Sequence, residues 1–245
     1  QNSSTSDTLD SSASSTESSS SSQDASATET KMDGGTFVVP LSADINSLNP
    51  VINESKSAEM VMRALYDPLF VIAADETRYY MAESYEVSDD GLTITVKLND
   101  NMFWHDGVPI TADDLVFDFE LLWEENMQST TGINGERILC EKVDDLTVKL
   151  TLPEVSASYL STLGNFKMFP KHRYDNGEPF RTTLENENGI GSGPYKLANW
   201  NRGSSLELVR FDEYYRGTPN FDEVVFQVMP EASAQEVAFQ RGELS

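Results

Sequence analysis

From Leu92 to Asn99 the chain alternates with a period of two. Leu92, Ile94, Val96 and Leu98 are apolar, and Thr93, Thr95, Lys97 and Asn99 between them are polar. That period buries one face of a β-strand and leaves the other wet. With the preceding Tyr85–Val87 stretch and the Asp89-Asp90-Gly91 turn, it predicts a β-hairpin. Val143 to Leu150 repeats the pattern around Asp144-Asp145. Apolar runs at Thr36–Leu41 and Val224–Met229 predict buried strands, Leu206–Arg210 a further alternating one, and Phe166–Pro170 a short one. Helical spacing takes over elsewhere. Ser57–Tyr66 predicts a helix with Met60, Ala64 and Leu65 on its apolar side and Pro68 past its end. Thr111 opens a second helix, with Asp113 and Asp114 in its first turn and Leu115, Val116, Phe119 and Leu122 on its buried face. Ala157–Leu163 predicts a short helix. Ser233–Arg241 predicts a last one, with Gly242 as the residue beyond its C-cap. Strands and helices mix without strict alternation, so the predicted class is α/β with a mixed sheet.

The first 30 residues lack any such periodicity. They hold 13 Ser and 5 Thr, no Lys or Arg, and Leu9 alone as a large aliphatic side chain. A segment of this composition has too little apolar surface to offset its ordering entropy. Residues 1–31 are therefore expected to be a disordered, Ser-rich tether. The rest has ordinary globular composition.

Charge narrows the partners. The formal net charge is −24, from 17 basic and 41 acidic residues, and the tail supplies only a small part of it. Nucleic acid is excluded as a partner, because phosphates need Lys and Arg, and docking on an anionic membrane surface is disfavoured. One cysteine, Cys140, sits in an apolar run and reads as a buried, inert thiol. No run of 18 apolar residues is present.

Catalytic chemistry finds little support. Gly189-Ile190-Gly191-Ser192-Gly193 has Gly where a nucleophile elbow needs Ser, and Pro194 where the dinucleotide fingerprint needs Gly. It reads as a loop whose glycines permit tight turns. His105 and His172 lie far apart, neither at a metal-ligand spacing. His105-Asp106 is the one candidate acid/base pair, in a turn where local hydrogen bonds account for such neighbours. No catalytic residue, metal ligand or cofactor is expected. Tyr and Trp are plentiful and suit a recognition cleft, with two or three at most expected to touch a ligand.

The segment Ala82–Leu122 carries an alternating strand, then Trp104-His105-Asp106-Gly107, then Thr111-Ala112-Asp113-Asp114 opening a helix. It resembles the signature segment of the extracellular solute-binding proteins of family 5, which serve oligopeptide, dipeptide and nickel ABC importers. Ser47-Leu48-Asn49-Pro50, Arg63–Leu69, Gly191–Leu197 and Asn220–Phe226 agree in the expected order. The resemblance implies a periplasmic-binding-protein-like type II clamp, here its N-terminal lobe with an inserted subdomain and the second lobe missing. Residues 32–51 and 181–245 would build the main lobe, and 52–180 the insert. The implied function is capture of oligopeptides outside the membrane by hinge closure and delivery to an ABC permease, without catalysis. The protein would be a monomer, extracytoplasmic, and either lipid-anchored at the cell surface or periplasmic. Ligand contact is expected from the loop Asp44, Ile45, Asn46, Ser47, Leu48 and Asn49, whose N–H and C=O groups would pair with an extended peptide. The alternatives are another solute on the same fold, an oligosaccharide or chelated nickel, and, from another class, a secreted hydrolase.

Overall fold

The structure is a computed structural model that describes residues 34–53, 55–74 and 76–245. The tether expected over 1–31 lies outside the described residues, as do the first two positions of the expected main lobe. The chain begins with strand β1 (Thr36–Leu41), helix α1 (Lys56–Leu65), the small hairpin β2 (Phe70–Ile72) and β3 (Thr77–Tyr79), and the strands β4 (Ala82–Val87) and β5 (Thr93–Leu98). Helix α2 (Ala112–Glu124) and the turn of helix α3 (Gln128–Thr131) come next. They lead through β6 (Gly132–Ile133) and β7 (Glu136–Arg137) to β8 (Leu139–Asp144) and β9 (Thr147–Thr151). Three short helices follow, α4 (Tyr159–Gly164), α5 (Lys171–Tyr174) and α6 (Glu185–Asn188). The chain then runs through β10 (Tyr195–Asn201), β11 (Ser205–Arg210) and β12 (Glu223–Val228) to α7 (Ala232–Gln240).

Two four-stranded sheets organise these elements. The first has the order β1-β12-β11-β10 and is mixed: β1 runs parallel to β12, and the other pairs are antiparallel. The second has the order β4-β5-β9-β8 and is antiparallel throughout. Each covers its own apolar core. Ile94, Val96, Leu98, Val148 and Leu150 of the second sheet pack with Leu115, Phe119 and Leu122 of α2, as their alternation and helical spacing require. Leu206, Leu208, Val224 and Phe226 of the first sheet pack with Ala58, Val61, Met62 and Leu65 of α1. By sequence α1 lies within 52–180, yet its buried face belongs to the core of the first sheet.

Three sequence expectations change. On α1 the buried stripe is Ala58, Val61, Met62 and Leu65, a clean i, i+3, i+4, i+7 set, while Met60 is exposed. The strand Thr36–Leu41 forms with the predicted bounds but is only half-buried, because β1 is an edge strand. Residues 166–170 form no strand. Their neighbour is a side chain: Asp118 on α2 accepts the Phe169 N–H at 3.1 Å, and the Phe166 carbonyl accepts from the Leu69 N–H at 3.2 Å. Gly242, with φ +72°, does follow the last helix, and its N–H bonds to the Phe239 carbonyl.

The two sheet layers are joined through the glycine-rich loop. A Cβ on Gly191 would lie 1.9 Å from the Leu65 carbonyl oxygen, and one on Gly193 2.7 Å from that of Ala64. The loop therefore presses its backbone against the end of α1, where no side chain fits. Gly193 N–H donates to the Leu65 carbonyl, and Ser192 Oγ accepts from the Asp67 N–H.

Candidate functional site

The loop expected to meet ligand is fastened from several sides. Ile45, Ser47, Leu48 and Asn49 are buried, Asp44 is half-buried and Asn46 is exposed. The Leu48 N–H donates to the Asn186 carbonyl, the Leu48 carbonyl accepts from Tyr66 Oη at 3.0 Å, and Asn53 Nδ2 donates to the Ser47 carbonyl. Asn49 binds Asn186 and Tyr174 through its amide nitrogen and accepts the Val51 N–H through its oxygen. From the β10–β11 turn, Arg202 Nη1 donates to the carbonyls of Ile45 and Asn46, and Gly203 N–H donates to Asp44 Oδ2 at 2.6 Å. The Arg202 guanidinium lies 3.4 Å above the Trp200 ring and pairs with Glu187. Buried polar groups that bond one another fix a loop rather than offer it to a partner. In this loop, past the carboxyl end of β1, Asn46 alone is exposed, and both carboxylate oxygens of the half-buried Asp44 accept backbone N–H groups, from Ile45 and Gly203.

Directly past the loop, Pro50 and Val51 form one wall of a groove of about 410 Å³. Leu122, Met127 and Phe166 supply apolar lining. Ser129 and Thr130 on α3, with Ser161 and Thr162 on α4, supply hydroxyls. Among the described residues these four hydroxyls make no hydrogen bond within the protein. An apolar floor with a few convergent polar groups is the usual make-up of a small-molecule or peptide site. Asn165 and Lys167 also line this groove and border a second cavity of about 390 Å³, beside Arg63, Asp67, Arg78 and Tyr80. None of these residues carries a sequence motif. Ser and Thr on short helices have no period or spacing that sets them apart, so sequence reasoning passed over them.

The candidate acid/base pair does not form. His105 turns inward. Gly191 N–H donates to its Nδ1 at 3.1 Å, so its Nε2 carries the proton and donates to the Gly193 carbonyl at 3.0 Å. Burial holds this imidazole neutral and pushes its pKa down to about 4. Asp106 pairs instead with His172 Nε2 at 2.8 Å. Cys140 is half-buried on β8, and burial pushes its thiol up to about 12, so little thiolate forms at neutral pH. Asp67 is buried and its carboxyl raised by desolvation, an effect opposed by the Tyr214 and Tyr215 hydroxyls that both donate to its Oδ2. Among the described residues no group of three or more His, Cys, Asp or Glu side chains could hold a metal ion.

Residues 76–245 match the profile of the bacterial extracellular solute-binding proteins, family 5. The chain belongs to this family. It is 30% identical over 221 residues to the oligopeptide-binding protein AppA of Bacillus subtilis, covering 86% of this chain and 40% of AppA. The solved structure of the ABC transporter substrate-binding protein CtaP from Listeria monocytogenes superposes with a TM-score of 0.81 at 35% identity, over 86% of this chain and 44% of CtaP. NikZ of Campylobacter jejuni, solved in complex with Ni(L-His), gives 0.76 at 27% identity, over 85% of this chain and 42% of NikZ. The chain thus spans about two fifths of the length of these relatives, and its fold is part of a type II periplasmic-binding-protein clamp.

Proposed function

We propose that the protein is the solute-capturing component of an ABC importer, acting outside the cytoplasmic membrane on oligopeptides and handing them to a membrane permease. The observation that carries this reading is the groove beside the Asp44–Asn49 loop. Its apolar floor and four uncommitted hydroxyls suit an extended peptide, whose backbone offers donors and acceptors at regular intervals while its side chains vary. Likeness to AppA, an oligopeptide-binding protein solved with a nonapeptide, supports the same solute class. Capture would proceed by hinge closure of two lobes, the groove being desolvated only when the clamp shuts. In this reading 32–51 and 181–245 belong to the main lobe and 52–180 to the insert, save that α1 packs into the main lobe's core, and 1–31 is a tether that holds a monomer, lipid-anchored or periplasmic. No step of the reading is catalytic. Asn46 and Asp44 are the loop's proposed ligand contacts.

Thermal unfolding of the full-length protein with a mixed peptide library, a set of oligosaccharides and histidine-chelated nickel tests the proposal. Ligand bound to the folded state raises the midpoint by mass action. A rise with peptides alone supports it. A rise with sugars or nickel alone keeps the clamp and replaces the solute, and no rise with any of them overturns the importer reading.

A further inference from the structure

The groove and the second cavity meet at Lys167, which borders both. It sits between Phe166 and Met168, both buried, and is itself the more exposed residue of the three. The backbone there is fixed. Leu69 N–H bonds to the Phe166 carbonyl, and the Phe166 ring meets Phe119 edge-on at 5.9 Å.

Among the described residues its charge is uncompensated by direct contact. The other cations of the second cavity have their own carboxylates: Arg63 is 2.7 Å from Glu59, and Arg78 is 2.5 Å from Glu76. Lys167 makes no ion pair or hydrogen bond among the described residues. It is half-buried, and desolvation disfavours its charged form, with the Glu59 charge opposing and that of Arg63 adding to the effect. A half-buried ammonium without a partner is costly unless something supplies one. In a chain carrying 41 acidic and 17 basic residues, a lysine without a partner among the described residues, where two cavities meet, is also contrary to the general charge. Asn165 stands beside it with one amide hydrogen committed to the Ser161 carbonyl. The other is available for the same guest.

We propose that Lys167 anchors a carboxylate of the bound solute where the hydroxyl-lined groove meets the second cavity, so that the site selects peptides bearing a free carboxylate there. The inference rests on the peptide reading and adds to it the charge and the direction of the guest. The carboxylate belongs to the peptide C-terminus or to an Asp or Glu side chain, and the two sources are separable.

The test is calorimetric titration of the full-length protein with a randomised pentapeptide library in two forms, free acid and C-terminal amide. Two further amide libraries carry either Glu or Gln at one fixed position. Lys167→Met keeps the aliphatic stem and removes the charge, and Lys167→Arg restores a cation; unfolding midpoints confirm that both variants fold. Affinity for the carboxylate-bearing library is expected to exceed that of its amide counterpart at least tenfold. Lys167→Met should erase that preference and Lys167→Arg should recover most of it. A preference for acid over amide assigns the C-terminus, and one for Glu over Gln assigns a side chain. Equal binding of all libraries, or a preference that survives Lys167→Met, overturns the anchor and leaves peptide binding standing. If no library binds, the peptide reading fails and the anchor is judged alone with succinate: a shift of the Lys167 side-chain NMR signals supports it, and their invariance overturns it.

Discussion

The imidazole of His105 donates through Nε2 to the backbone carbonyl of Gly193, 3.0 Å away. Those two residues lie 88 positions apart in sequence, and the bond ties the turn between β5 and α2 to the glycine loop that leads into β10. Since Gly191 N–H occupies Nδ1, the ring works only in its neutral form. The His-Asp-Gly turn that the sequence flagged for acid/base chemistry is thus a clip between layers.

Such a clip makes stability depend on pH with a definite sign. The native pKa is about 4 against an ordinary 6.5, so between these values the unfolded chain binds a proton that the native state refuses. The stability this group supports above pH 6.5 is lost as pH falls towards 4, by roughly 3 kcal/mol in total. Urea unfolding of wild type and His105→Gln at pH 7, 5.5 and 4.5 separates this group from the buried carboxyls, which both proteins share. The variant should be weaker by about 2 kcal/mol at pH 7 and should have a shallower acid slope. Parallel curves would exclude the clip.

Gly191 provides a purely steric test. Its missing Cβ leaves room for the Leu65 carbonyl, which an alanine would meet at 1.9 Å. Gly191→Ala should cost roughly 3 kcal/mol, as overpacking against backbone does. Gly135→Ala is the control. Gly135 has φ +83° but open space around it, so only the left-handed backbone is strained, at about 1–2 kcal/mol. Equal denaturation midpoints for the two variants would contradict the close packing.

What was legible in the sequence follows from how local each signal is. The hairpins of the second sheet, α1, α2 and α7 are written in period and turn chemistry between near neighbours, and they form close to the expected bounds. The parallel pairing of β1 with β12 joins residues 187 positions apart and leaves no local trace. Asp118 is the sharpest omission. A single carboxylate in an apolar helix carries no local signal of burial, yet in the fold it is fully buried and accepts the Phe169 N–H. The Asp44–Asn49 loop was found by its Asn, Asp and Pro content, which marks turns. The same content lets the loop bond to itself, so its backbone is less available than its sequence promised.

Asp118 can be tested by an isostere. Burial, with the Asp114 charge adding to it, holds its carboxyl well above the ordinary carboxylate range. The native state therefore holds its proton more tightly than the unfolded chain, and this group detracts from stability as pH rises. Asp118→Asn keeps an oxygen for the Phe169 N–H and removes the titration. Its stability should match or exceed wild type at pH 7, with no gain at pH 3. Asp118→Leu strands the Phe169 N–H and should cost about 1–3 kcal/mol. A strongly destabilised Asp118→Asn at pH 7 would mean that the charged form is the one the fold requires.

Asn46 and Asn49 divide the loop between contact and scaffold, and the division is measurable. Asn49 is fully buried and joins Asn186, Tyr174 and the Val51 N–H, so Asn49→Ala leaves several buried groups without partners. A loss of roughly 2–3 kcal/mol in unfolding free energy is expected, accompanied by weaker binding because the wall of the groove at Pro50 and Val51 shifts. The Asn46 side chain is exposed at the carboxyl end of β1. Asn46→Ala should leave the unfolding midpoint within about 0.5 kcal/mol of wild type and weaken peptide binding several-fold, read in one calorimetric series on the full-length protein. If Asn46→Ala leaves peptide affinity unchanged while Asn49→Ala reduces it only in proportion to lost stability, the loop is scaffold alone. Recognition then belongs wholly to the groove lined by Ser129, Thr130, Ser161 and Thr162.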